Sequence, residues 1–169
     1  MRELVYTGFV SLDGVVDSPG GGPGEEHRSG GWVVNDVEFL PEAFAPLWRE
    51  SADHAAYKDL PKYVVSSTLP GDALVDGWGP TTILRSTEEV AALKQTDGGA
   101  IFIHGSAELA RRLSDAGLID QYNLLVFPVL LGAGKSLFGR ADRDKQMLTL
   151  RESQTYRNGI LKLIYDVTR

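Results

Sequence analysis

The hydrophobic rhythm of the chain changes once, near Asp120, and that change constrains the fold more than any other feature. Before it, short β-rich runs alternate with helical stretches. Leu4–Val10, Tyr63–Ser66, Thr81–Leu84 and Ala100–Ile103 are rich in branched and aromatic residues and predict strands. Thr87–Lys94 and Ser106–Ala116 predict helices. In the second, Leu109, Ala110, Leu113 and Ala116 share one face, and Gly117 sits where a left-handed cap belongs. After Asp120 come three strand-like runs with no helix among them. These are Asp120–Leu131, interrupted by Pro128, then Met147–Thr155 and Ile160–Thr168. Asn158-Gly159 between the last two predicts a type I′ hairpin, because both residues tolerate positive φ. The pattern predicts an α/β fold: a mixed, mostly parallel sheet flanked by helices and finished by an antiparallel C-terminal meander. With 169 residues, at roughly 100–200 residues per domain, the expectation is one domain over 1–169.

Between the first and second strands the sequence is less regular. Ser18–Gly31 holds six glycines and two prolines, Gly20, Gly21, Gly22, Gly24, Gly30, Gly31, Pro19 and Pro23, and reads as a loop able to act as a lid. Asn35 or Asp36 can cap a short helix carrying Val37, Phe39, Leu40 and Phe44, limited by Pro41. Arg49–Asp59 is polar and weakly helical.

Composition removes several classes of function. Lys and Arg number 17 against 23 Asp and Glu, a net charge of −6 with a pI near 5.0. There is no basic stripe to follow a nucleic acid backbone. The chain has no cysteine, so disulfides, thiol nucleophiles and zinc–thiolate sites are excluded, which suits a cytoplasmic protein. The opening MRELVYTGFV is broken by Thr7 and Gly8 and followed by Ser11 and Asp13, unlike a signal peptide or anchor. No run approaches 18 apolar residues. His27, His54 and His104 show no metal-ligand spacing. The expectation is a soluble acidic protein that binds a small molecule and neither a membrane, a metal nor nucleic acid.

Three segments carry candidate chemistry. In Ile101-Phe102-Ile103-His104-Gly105-Ser106-Ala107-Glu108-Leu109 a buried strand runs through His-Gly-Ser into a helix. Free N–H groups and the positive end of the helix dipole suit a phosphate there, and Gly105 lets the backbone approach it. A plain capped helix accounts for the same residues, and Glu108 alone complements the dipole. Ser66-Ser67-Thr68 places hydroxyls at a strand end, where they can meet a phosphate or simply finish the strand. Gly132-Ala133-Gly134-Lys135-Ser136 superficially resembles a P-loop, but the glycine required five residues before Gly134 is Val129 and no helix follows. It reads as a glycine-rich turn. Asp13, Asp36, Glu38 and Glu42 are candidate acids or solvated carboxylates.

Four segments in order resemble the dihydrofolate reductase-like superfamily, in particular small proteins similar to the reductase domain of bifunctional riboflavin-biosynthesis enzymes. They are Val10-Ser11-Leu12-Asp13-Gly14; Pro61-Lys62-Tyr63-Val64-Val65-Ser66; Ile103 through Leu109; and Leu118-Ile119-Asp120-Gln121-Tyr122 leading to Pro128 through Phe138. The resemblance implies a pyridine nucleotide fold, usually with NADPH and often a homodimer. It implies that Asp13, Gly14 and Val16 lie near the nicotinamide and Ser66, Ser67 and Thr68 on the adenosine phosphate side. It also implies that His104, Gly105, Ser106, Ala107 and Glu108 lie around the pyrophosphate. The expected activity is NADPH-dependent reduction of a small heterocyclic or carbonyl substrate, with Asp13 as proton donor or polar anchor. The sequence departs from the family in two respects: the Gly-Arg-x-Thr-Tyr stretch that usually follows a second strand is missing between Phe44 and Lys62, and Trp32 and Asp36 lack the spacing and the proline that dihydrofolate reductases place around their acid, which speaks against folate as substrate. A non-catalytic dimeric nucleotide-binding or regulatory protein is therefore the second expectation. The run from Leu124 to Leu131 is apolar with almost no alternation, so it needs cover on both faces, which a second subunit can supply.

Overall fold

The structure is a computed structural model, and it describes residues 1–20, 28–32, 60–74, 80–139 and 145–168. Expectations on the intervening segments lie outside the described residues. These are the centre of the glycine-rich loop, the helix near Asn35, the Arg49–Asp59 stretch, His27, His54, Asp36, Glu38 and Glu42.

Two compact units divide the chain. The larger joins Met1–Asn35 to Lys94–Arg169, and the smaller is Asp36–Leu93. The larger is built on a five-stranded sheet. Its strands are β1 (Leu4–Ser11), β4 (Ile101–Ile103), β5 (Gln121–Phe127), β6 (Leu148–Thr155) and β7 (Leu161–Val167), in the order β4-β1-β5-β7-β6. β4 and β5 flank β1 in parallel, while β7 runs antiparallel to both β5 and β6. The smaller unit contains a parallel pair, β2 (Lys62–Val65) and β3 (Thr81–Leu84), a 3-10 turn at Gly71–Ala73, and most of helix α1 (Thr87–Lys94). Helix α2 (Ala107–Asp115) belongs to the larger unit. The sheet is mixed α/β with a C-terminal antiparallel hairpin, as the change of rhythm at Asp120 predicts.

β1 lies at the centre of the parallel part because both its faces are buried. Leu4, Val5, Tyr6 and Val10 are almost fully covered. On one face Tyr6 meets Tyr122 edge to face at 6.3 Å, and the Tyr122 hydroxyl pairs with Ser114 Oγ of α2 at 2.7 Å. Burial pushes the Tyr6 phenol up to about 12. On the other face Phe9 and Trp32 each pack edge-on against Phe127, at 5.6 and 5.3 Å. Ser106 caps α2 by accepting from Leu109 N–H, Ala116 closes it, and Gly117 follows at φ +66.

The structure corrects three sequence expectations. The last three strands are not a meander, because β7 inserts between β5 and β6. β7 is half-buried throughout whereas β6 is exposed along nearly its whole length. The more apolar strand therefore takes the interior position and Leu-Thr-Leu-Arg-Glu-Ser-Gln-Thr the edge, where polar side chains and the irregularity between Leu150 and Glu152 blunt further pairing. The hairpin turn is not type I′. Gly159 is at φ +82, Asn158 is not at positive φ, and Gly159 N–H closes onto Tyr156 O. The Asn158 side chain accepts from Ile160 N–H at 3.3 Å, an Asx bond that the ordinary right-handed conformation allows. Finally, β5 ends at Phe127, before Pro128. Leu124, Leu125 and Phe127 of β5 are buried, whereas Leu130 beyond it is 70% exposed.

Candidate functional site

Ligands of open α/β sheets bind beyond the carboxyl ends of parallel strands, where neighbouring strands diverge in connectivity. In the larger unit that place is β1, between β4 and β5. β4 stops level with Tyr6, while β1 and β5 run on together to Ser11 and Phe127. Among the described residues, the upper half of β1 is therefore paired on one side alone, and a notch opens beside it. Three turns surround this notch: His104–Ser106 after β4, Leu12–Val16 after β1, and Pro128–Gly134 after β5.

The second and third turns are bonded together. Leu12 N–H donates to Val129 O, Val16 N–H to Lys135 O and Leu137 N–H to Gly14 O. Asp13 completes the clamp. Its carboxylate accepts from Gly132 N–H at 2.7 Å, from Leu131 N–H at 3.2 Å and from Ser11 Oγ at 2.6 Å. Ser11 Oγ in turn accepts from Val15 N–H. The Ser11 hydroxyl first, then the Gly132 and Leu131 amides, hold the Asp13 carboxyl down at about 2. With these three donors the Asp13 carboxylate ties the turn after β1 to the turn after β5. Gly14 takes φ +83 and Gly132 φ +73, which only glycine adopts without strain. Gly132–Ser136 is a turn, and its Ser136 bridges back to Val15. The Ser18–Gly31 loop is drawn together at its base, where Gly31 N–H donates to Ser18 O, and Trp32 Nε1 donates to Asp17 O at 2.8 Å.

The first turn joins β4 to α2. Gly105 stands at φ +128, and a Cβ built on it meets no atom within 4 Å, so its open side can receive a ligand. The Gly105–Ser106 peptide is cis. Ala107 and Glu108 begin α2, and first-turn N–H groups have no acceptor within their own helix. Glu108 turns along the helix to Arg112 at 2.5 Å. Both groups are exposed, so the pair adds little stability, but it keeps the carboxylate engaged away from the turn. Desolvation lowers the His104 pKa from its ordinary value. The His104 ring stacks on Phe102, itself 56% exposed, with ring planes 14° apart.

In the smaller unit, Ser66 Oγ accepts from Leu69 N–H at 3.0 Å and turns the chain at the end of β2. Ser67 and Thr68 are exposed. Arg85, at the end of the neighbouring β3, donates through Nη1 to Ser66 O at 3.0 Å and Leu69 O at 2.7 Å. Sequence reading missed Arg85. A single arginine before Ser86-Thr87 carries no motif, and only the parallel pairing of β2 with β3 sets it against the Ser66 turn. No cluster of metal-ligating side chains exists among the described residues.

This sheet, with its strand-end turns, defines a dihydrofolate reductase-like α/β protein. The sequence profile of the RibD C-terminal domain matches residues 40–162, and the chain belongs to that family. A search of curated proteins finds the uncharacterized protein YyaP of Bacillus subtilis (strain 168), 35% identical over 80 residues. That match spans 46% of this chain and 41% of YyaP, so the chain matches less than half the length of this curated relative. Among solved structures, a putative riboflavin biosynthesis protein from Shewanella sp. PV-4 is similar with TM-score 0.66 at 18% identity, over 99% of this chain and 100% of that one. The dihydrofolate reductase of Enterococcus faecalis, solved with NADP(H), is similar with TM-score 0.56 at 15% identity, over 99% and 97%. Both likenesses are of fold.

Proposed function

We propose that the protein is an NADPH-dependent reductase of a small heterocyclic or carbonyl substrate of the pterin or flavin-precursor kind. The observation that carries this reading is the notch at the carboxyl ends of β4, β1 and β5, with an open glycine turn and a helix N-terminus on one side. Membership of the RibD C-terminal domain family and the NADP(H) bound to one relative of the same fold support it. In this reading the Gly105–Glu108 segment holds the pyrophosphate, through N–H groups of the turn and of the first turn of α2. The Asp13–Val16 turn, fixed by the Asp13 clamp, lies beside the nicotinamide with Gly14 and Val16 at its edge. Within the smaller unit, the Arg85 guanidinium and the hydroxyls of Ser67 and Thr68, with Ser66 shaping their turn, are candidate phosphate contacts by their chemistry. The dinucleotide, when bound, supplies the hydride, and the protein supplies position and a fixed electrostatic surround. A cytoplasmic setting, where NADPH is available, suits a chain without cysteine.

Two measurements test the reading. NADPH titrated into the protein should change cofactor fluorescence with saturation below millimolar concentration. Arg85→Ala should weaken NADPH by about tenfold or more, the loss of one charge-assisted phosphate contact, and leave NADH unchanged. NADPH oxidation should then appear with at least one member of a panel of pterins, flavins and carbonyls. Binding without any turnover would favour the non-catalytic nucleotide-binding reading, which the missing Gly-Arg-x-Thr-Tyr stretch keeps open. No NADPH binding at millimolar concentration would overturn both.

A further inference from the structure

Tyr6 carries a hydroxyl that the fold leaves unused. Strand alternation puts Leu4, Tyr6, Gly8 and Val10 of β1 on one face. It is the face that α2 covers, since Tyr122, the register neighbour of Tyr6, bonds Ser114 of that helix. The Tyr6 ring runs up the strand and sets its hydroxyl over Gly8, so close that a Cβ there would overlap it. Gly8 lies two residues beyond the Tyr6–Ile103 pair, where β1 and β4 part. The hydroxyl therefore stands at the notch, on the stretch of β1 that is paired on one side alone among the described residues.

Tyr6 is 3% exposed, and among the described residues its hydroxyl neither donates nor accepts a hydrogen bond. Among those residues the fully buried side-chain atom without a partner is Asn123 Oδ1 and not Tyr6 Oη, so the phenol oxygen keeps a small opening. Tyr122 on the same face is different, because its hydroxyl meets Ser114 Oγ at 2.7 Å. A nearly buried hydroxyl without a partner destabilises a fold relative to phenylalanine, which has the same shape, so its presence asks for a ligand that pairs with it. The ligand atom is an acceptor, since burial holds the Tyr6 phenol up at about 12 and leaves its O–H in place near neutrality. It is also uncharged, since Val10, Ile103 and Tyr122 around the ring are buried and give an anion no counter-charge. An amide oxygen meets both conditions. We propose that the Tyr6 hydroxyl is a positioning group that donates to the carboxamide oxygen of a nicotinamide seated in the notch, and so fixes how that ring is turned. This rests on the reductase reading and adds to it a side chain from the helix-covered face of β1.

The test is Tyr6→Phe, which removes one oxygen, titrated by calorimetry beside wild type with NADPH and with 2′-phospho-ADP-ribose, the same molecule without its nicotinamide. The variant should bind NADPH about three- to tenfold more weakly, the loss of one hydrogen bond to a neutral acceptor, and bind 2′-phospho-ADP-ribose as wild type does. It should melt at or above the wild-type temperature. Unchanged NADPH affinity would overturn the proposal, as would equal weakening of both ligands, which sets the lost contact on the part they share. A variant that melts well below wild type would do so as well, since the hydroxyl would then have a partner in the fold. Wild-type binding of NADPH alongside any of these results leaves the reductase reading standing, whereas its failure at millimolar concentration counts against that reading and the proposal together.

Discussion

At the scale of the residue, Asp13 shows how a carboxylate that reads as a candidate acid becomes part of the backbone. Its folded pKa, about 2, lies below the ordinary 3.8. The ionised form is therefore favoured by folding. Its contribution is present above pH about 4 and is lost as pH falls toward 2. Asp13→Asn should flatten the acid limb of a melting-temperature profile in that window and leave the neutral region less affected. An unchanged acid limb would mean that the amides of Leu131 and Gly132 are held without it. Gly105 carries a different lesson. Its open side fits a ligand, but at φ +128 any L side chain is strained. Gly105→Val therefore disturbs the backbone as well as the site, and Arg85→Ala is the cleaner probe of nucleotide binding. The sequence marks Gly105 and Asp13 because they sit beside turn residues. It does not mark Arg85 or Tyr6, since a lone arginine and a lone tyrosine acquire meaning only from what lies across the sheet.

At the scale of the element, two contacts fix how strands and helices meet. In β1 a Cβ on Gly8 would fall 2.3 Å from the Tyr6 hydroxyl oxygen and 2.7 Å from Tyr6 Cζ. The Tyr6 ring is buried against Tyr122 and cannot swing away freely, so Gly8→Ala should cost about 1–3 kcal/mol in denaturant unfolding. A neutral result would show that the ring repacks. At the end of α1, Lys94 is 3% exposed and pairs with Asp120 Oδ2 at 2.6 Å, donates to Leu118 O, and its own carbonyl accepts from Arg2 N–H. The same Asp120 oxygen accepts from Leu4 N–H at 2.7 Å, so one ion pair joins the α1 terminus, the start of β1 and the approach to β5. Lys94→Met leaves Asp120 without its cation and should cost about 3–5 kcal/mol in the same measurement. Loss of less than about 1 kcal/mol would show Asp120 to be compensated elsewhere.

At the scale of the whole molecule, the apolar run behind the expected dimer buries Leu124, Leu125 and Leu131 within the chain and leaves Leu130 70% exposed. A homodimer remains a proposal on the family resemblance. Light scattering at micromolar concentration should give about twice the 18.4 kDa chain mass, and a value equal to one chain would end it. By itself the sequence determined the identity of most described elements, the boundary at Asp120, the cap at Ser106, the closure at Gly117 and the turn residues at Gly14 and Gly132. Each of these depends on residues within a few positions of one another: a hydrophobic period, a capping hydroxyl, a glycine at positive φ. Only the tertiary structure decided that β7 lies between β5 and β6, because that choice compares the burial of two strands against a third. It alone set Arg85 against the Ser66 turn, gave the Asp13 carboxylate the amides of Leu131 and Gly132, and left the Tyr6 hydroxyl at the notch without an acceptor among the described residues. Those outcomes come from pairing across long sequence separations, where local pattern carries no register.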